Sequence, residues 1–265
     1  MRALHTATRE LGERFLDFLA EAGRMTLFLL AVARHALAPP YAWRALLGQI
    51  EFIGTRSLLV IAVAGCFVGM VVALQFFDTL VRFGSTALLG SAVGLSLIRE
   101  LGPVLTALIL IGRAGSALCA DIGIMRTENQ VDALECMAIE PYRFLIAPRF
   151  LAALVAGPLL TAIFVSVGML GGWFVGVVTL GVGAGAYFDG MADSVGATDL
   201  LMGLIKSVAF SALMVWICAG KGFLLHLNRR RALGSAGISR ATTAAVVLSS
   251  IAVLFADYVI SAFLR

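Results

Sequence analysis

The chain has 265 residues, 60% hydrophobic and 14% charged, with a net charge of +4 and a mean hydropathy of +0.98. Soluble domains carry about 25% charged residues, so this composition excludes a surface that faces water throughout. The basic pI of about 9.1 could suggest a nucleic-acid partner, but where the basic residues fall relative to the apolar runs decides against one.

From the N-terminus, residues 9–25 have helical periodicity: Leu11, Phe15, Phe18, Ala22 and Met25 share one face, with Arg9, Glu13, Asp17, Glu21 and Arg24 elsewhere. The apolar stretch 26–32 that follows is too short to span a bilayer. Residues 1–47 are therefore predicted to form an N-terminal segment whose amphipathic helix lies in the cytoplasmic interface. The segment lacks the order of a signal peptide and is expected to be retained.

A spanning helix needs about 20 mostly apolar residues. Five runs qualify: 57–77, 83–111, 150–180, 200–220 and 241–264. The fold class predicted is an all-α integral membrane protein with five transmembrane helices after the interfacial helix. The third run would rise about 46 Å as one helix, against roughly 30 Å of hydrocarbon, so a helix bent at Pro158 competes with a tight hairpin. Charge decides between them. With five spans and the N-terminus inside, the inner face receives seven arginines between Arg2 and Arg56. It also receives Arg113, Arg126, Arg143, Arg149, Lys221, Arg229, Arg230, Arg231 and Arg240, while Arg82 and Arg265 fall outside. A hairpin would send Arg229–Arg231 outward, against the inside bias of Lys and Arg. One long helix is expected, with the C-terminus outside, and the outer loop 181–199 carries Asp189, Asp193 and Asp199 but no cation.

Small residues recur at helical spacing, Gly65 with Gly69 and Gly168 with Gly172 and Gly176, which suits close packing of helices within the chain or at a dimer seam. Cys66, Cys119, Cys136 and Cys218 have neither metal nor redox spacing and read as packing residues.

Four ionisable residues interrupt the spans: Arg99, Glu100, Lys206 and Asp257. Each costs about 2.5–3.5 kcal/mol near the bilayer centre. They either lock the bundle as buried pairs or line a cavity that accepts a polar headgroup. Arg99 is the natural partner for a phosphate, because its planar fork matches the oxygens. Pro103 removes a helical hydrogen bond at a similar depth. Gln75, near the outer end of the first span, is either an interfacial hydrogen-bonding residue or part of that cavity.

Between the second and third spans, 127–137 suits a short amphipathic helix, with Val131, Leu134 and Met137 on one face and Glu128, Asp132 and Glu135 on another. Pro141 would end it. It is either a solvated loop helix or a docking helix for a cytosolic partner. No phosphate-binding loop, HExxH or G-x-S-x-G motif occurs, so no catalytic activity and no metal or cofactor is expected in this chain. His5, His35 and His226 are dispersed in flanking segments.

Ser96-Leu-Ile-Arg-Glu-Leu-Gly-Pro-Val-Leu-Thr, Gly112-Arg-Ala-Gly-Ser-Ala, Gly123-Ile-Met-Arg and Pro148-Arg149 closely resemble the MlaE (YrbE) permease family. So do Gly69-Met-Val-Val-Ala-Leu-Gln, Ile205-Lys-Ser-Val-Ala-Phe and Ser235-Ala-Gly-Ile-Ser-Arg-Ala-Thr-Thr, the last looking most like proteobacterial members. The resemblance covers the predicted permease domain, 48–265, and implies the permease subunit of an ATP-binding-cassette transporter in the inner membrane of Gram-negative bacteria. Such a complex moves phospholipids between inner and outer membranes and maintains outer-membrane asymmetry. The resemblance also implies a homodimer, an MlaF-like cytosolic ATPase that uses ATP and magnesium, an MlaB-like STAS-domain protein and a periplasmic MlaD-like MCE-domain ring. It makes Thr127, Glu128, Asn129, Gln130, Asp132 and Glu135 part of the coupling helix. It places the lipid cavity at the dimer interface between the first, second and fifth spans, near Arg99 and Glu100, with Lys206 and Asp257 at the family's charged positions. The chain departs from the family at Asn129, where the coupling segment usually has Glu, and in a more basic stretch over 221–233. Two other classes compete with this reading, an ion-coupled secondary transporter and a non-transporting membrane scaffold. The absence of a clear internal repeat weighs against the former.

Overall fold

The computed structural model describes residues 2–36, 43–225 and 234–264; in the first helix, side chains are described for residue 16 and for 19–35. Among these residues the chain is helical throughout its regular structure. The elements are α1 Arg2–Ala36, α2 Trp43–Arg82, α3 Thr86–Thr127, α4 Gln130–Cys136, α5 Tyr142–Thr179, α6 Ala184–Ser194, α7 Ala197–Phe223 and α8 Ser235–Phe263. Five of them (α2, α3, α5, α7 and α8) are long and apolar enough to cross a membrane, as the five apolar runs predict. Hydrocarbon offers no partner to a backbone amide, so these segments satisfy their own hydrogen bonds as helices.

Three of the span helices far outrun their apolar runs. α3 continues sixteen residues past 111 to Thr127, and α2 begins at Trp43. The edge of the hydrocarbon limits hydrophobicity but not helicity, so polar turns extend the same helices beyond it. The third run is a single helix, α5, with Pro158 inside it. Several spans contain wider, π-helical turns. Two of these, Leu97–Leu101 and Tyr142–Ile146, lie just before Pro103 and Pro148, where the proline ring obstructs the carbonyl four residues back.

α2 lies along α5, while α7 packs on α3, α5 and α8 at the centre of the bundle. The α2–α5 seam rests on the absence of side chains. A Cβ added to Gly69 would fall 1.8 Å from the carbonyl oxygen of Gly168, and one on Gly65 would fall 2.6 Å from that of Phe164. The glycine spacing therefore serves packing within the chain, where backbones meet directly. α8 is the most peripheral span: 11% of its apolar window is buried inside the chain, against 33–50% for the others.

α1 packs on the starts of α5 and the end of α7. Met25, Phe28 and Val32 are buried there, Trp216 Nε1 donates to the Met25 carbonyl at 2.8 Å, and Lys221 pairs with Glu21. Of the predicted apolar face, Met25 is buried and Ala22 exposed, while the side chains of Leu11, Phe15 and Phe18 lie outside the description. His226, Arg229–Arg231 and Arg265 also lie outside the described residues.

The outer stretch 181–199, expected as a loop, folds as α6 followed by the first turn of α7. Ser91 Oγ donates to the Gly190 carbonyl at 2.6 Å, and the buried Tyr187 hydroxyl donates to the Met169 carbonyl at 3.1 Å. Burial pushes the Tyr187 phenol up to about 12.

Candidate functional site

The π-helical turn Leu97–Leu101 in α3 carries two adjacent ionisable residues, Arg99 and Glu100, that point to different sides of the helix. Pro103 has no N–H to give to the Arg99 carbonyl, its acceptor four residues back. Lys206 of α7 supplies the missing donor: its Nζ lies 2.8 Å from that carbonyl oxygen. The same ammonium lies 2.6 Å from Glu100 Oε2 and 2.8 Å from Asp257 Oδ1 of α8. Lys206 is fully buried at 0% exposure, and its ammonium faces three oxygens from two helices, the Arg99 carbonyl and Glu100 of α3 and Asp257 of α8. Here two carboxylates and a carbonyl replace its hydration.

Arg99 turns the other way. Its Nε and Nη2 both reach Asp199 Oδ1 at 2.6 Å, and the other carboxylate oxygen of Asp199 accepts from the Gly196 amide at 2.9 Å. Asp199 thus caps the N-terminus of α7 and holds Arg99 at once. Its side chain is 5% exposed, whereas that of Arg99 is 46% exposed. Nearly half of the Arg99 side chain remains open to an incoming group.

Between these ion pairs runs a cleft of about 220 Å³ lined by Leu95, Ser96, Arg99, Glu100, Met202 and Ser261. Glu100 forms its exposed acidic wall, at 47% exposure, and Ser261 Oγ donates to Glu100 Oε1 at 3.3 Å. The cleft is chemically two-sided, with a guanidinium on one flank, a carboxylate on the other and apolar side chains between. It suits a molecule with a charged head and an apolar body.

The structure brings together four of the residues predicted from sequence: Arg99, Glu100, Lys206 and Asp257. Gln75 is exposed on α2 and does not line this cleft. Sequence reasoning assigned no role in the site to Asp199 or Ser261. Asp199 was legible as an acid in the first turn of a span, a position that favours a cap, at the level where Arg99 needs a counter-ion. Ser261 lies one helical turn beyond Asp257 and so shares its face.

At the opposite end, the predicted coupling helix is α4, Gln130–Cys136, shorter than the expected 127–137 because Thr127 ends α3. Asn129 makes the corner between them in the left-handed conformation, φ 57°. Asn enters this region more readily than most side chains, because its amide bonds locally. The departure at Asn129 thus has a backbone reason. Gln130 Nε2 donates to Glu128 Oε2 at 2.7 Å, and Arg126 Nη1 pairs with Asp132 Oδ1 at 2.7 Å and approaches Glu135 Oε1 at 4.0 Å. The Arg126 guanidinium also lies over the Phe223 ring, 4.9 Å from its centroid. α4 is thereby tied to the end of α7, the helix that carries Lys206. Glu128, Asn129, Gln130, Asp132 and Glu135 are exposed, and Thr127 is half-buried.

Comparison with known proteins gives the family of the chain. The family described as Permease MlaE matches residues 46–263. The chain is 40% identical over 253 residues to the intermembrane phospholipid transport system permease protein MlaE of Haemophilus influenzae, covering 95% of each chain. It is 36% identical over 250 residues to a probable ABC transporter permease of Rickettsia felis, covering 94% of each. It is also 32% identical to the chloroplastic protein trigalactosyldiacylglycerol 1 of Arabidopsis thaliana, over 91% of this chain and 65% of that one. With five membrane-crossing helices and a family match over nearly its whole helical bundle, the chain belongs to the MlaE permease family.

Proposed function

We propose that this chain is the membrane permease of an ABC-type intermembrane phospholipid transport system and that the Arg99–Glu100 cleft receives the lipid. The cleft carries the reading, since it joins a partly exposed arginine to an apolar groove between the spans. A lipid phosphate there competes with Asp199 for Arg99, while Lys206, fully engaged, holds the turn in place. Gln75 joins the cavity only if a second copy brings its first span across it, which the wide exposed faces of α2 and α8 favour. The complex so assembled is a homodimer with an MlaF-like ATPase, an MlaB-like STAS-domain protein and an MlaD-like MCE-domain ring. It sits in the inner membrane of a Gram-negative cell with the N-terminus cytoplasmic and the C-terminus periplasmic. ATP and magnesium act on the ATPase, and this chain holds no cofactor. The ATPase pushes on α4 through Thr127, Glu128, Asn129, Gln130, Asp132 and Glu135, and Arg126 passes the displacement to α7.

The test is co-purification of the chain with a nucleotide-binding subunit, followed by ATP-dependent lipid release from proteoliposomes. Arg99→Ala is expected to leave assembly intact and to reduce lipid release. Full activity in that variant overturns the headgroup role, and solute uptake by the chain alone from a proton gradient overturns the function.

A further inference from the structure

The apolar run of α2 begins after Arg56, and that of α3 ends before Arg113. Arg113 Nη1 donates to Ser57 Oγ at 2.7 Å and to the Phe52 carbonyl at 2.9 Å, so these two ends lie at one level. Both segments are π-helical here, Glu51–Thr55 in α2 and Ile111–Gly115 in α3. Arg113 thus reaches the Phe52 carbonyl at the wider turn of α2. The Phe52 ring is then shared by two cations: the Arg56 guanidinium carbon is 5.6 Å from its centroid and that of Arg113 5.7 Å. The two guanidiniums are thus no more than twice that distance apart and repel each other. Among the described residues neither has a carboxylate within ion-pair distance, and the exposed Glu51 nearby pairs with neither. The Arg113 hydrogen bonds to protein use Nη1, and Arg56 is exposed.

We propose that Arg56 and Arg113, which share the Phe52 ring, bind the phosphate of an anionic phospholipid headgroup at the basic end of the first two spans. A phosphate is the anion that this level of a bilayer supplies, and the guanidinium fork matches its oxygens. A net negative lipid fits best, because a zwitterionic one brings a cation into a place that already holds two. The site lies fourteen residues along α3 from Arg99, about 21 Å at the helical rise. It does not rest on the transport reading, and it anchors the lipid rather than moving it.

The full chain in nanodiscs of phosphatidylcholine, titrated with phosphatidylglycerol and read by native mass spectrometry, tests this. Wild type is expected to retain phosphatidylglycerol selectively. Arg56→Gln, which breaks no protein hydrogen bond, is expected to weaken that retention about tenfold, the value of one charge-assisted hydrogen bond. Arg44→Gln, an exposed arginine of the same helix without the Phe52 partnership, is expected to retain it as wild type does. Unchanged retention in Arg56→Gln overturns the site, and an equal loss in Arg44→Gln overturns it in favour of a diffuse basic surface. Displacement of the lipid by inorganic phosphate overturns the lipid as occupant, leaving a free-phosphate site.

Discussion

Replacing Lys206 by methionine keeps the length of the side chain and removes the one group that joins α3, α7 and α8 at mid-span. Three groups lose their partner: the Arg99 carbonyl at 2.8 Å and Glu100 Oε2 at 2.6 Å lose a hydrogen bond, and Asp257 Oδ1 at 2.8 Å loses its ion pair. Removing one partner of a buried ion pair costs about 3–5 kcal/mol. Glu100 is 47% exposed and regains water, so the low end of that range, about 3 kcal/mol, is expected. Thermal unfolding in detergent should show a clear fall in midpoint. The cost arises from uncompensated carboxylates, so adding Glu100→Gln and Asp257→Asn to Lys206→Met should recover most of it. A single variant that melts with wild type, or a triple variant no more stable than the single, refutes the reasoning.

Gly69→Ala should separate α2 from α5 and cost about 1–3 kcal/mol, because its Cβ meets backbone at 1.8 Å. Gly112→Ala, with nothing within 4 Å, should be tolerated in the same melting assay. Arg126→Lys keeps the charge but loses the flat contact with Phe223 and the fork that meets Asp132, so folding should persist with a modest fall in melting midpoint while lipid-stimulated ATP hydrolysis by the assembled complex falls. Tyr187→Phe should delete a late step from the alkaline absorbance titration. Its folded-state pKa of about 12 lies above the ordinary phenol value of 10.0, so its contribution to stability is present below pH 10 and lost as pH rises towards 12.

Five spans, their number and their apolar limits follow from the sequence by itself. Hydrocarbon thickness sets a length, and every backbone group inside it must bond within its own helix. The same economy exposed Arg99, Glu100, Lys206 and Asp257, since charge is rare where insertion is costly. The sequence could not pair them. Arg99 and Glu100 are adjacent, yet the turn of the helix sends one to Asp199 and the other to Lys206, a choice made by where α7 and α8 pack. Nor could it show that Lys206 answers the carbonyl that Pro103 leaves without its usual donor, because that bond joins residues 107 apart. Composition located the charges; only the approach of three helices decided which are satisfied and which face the cleft.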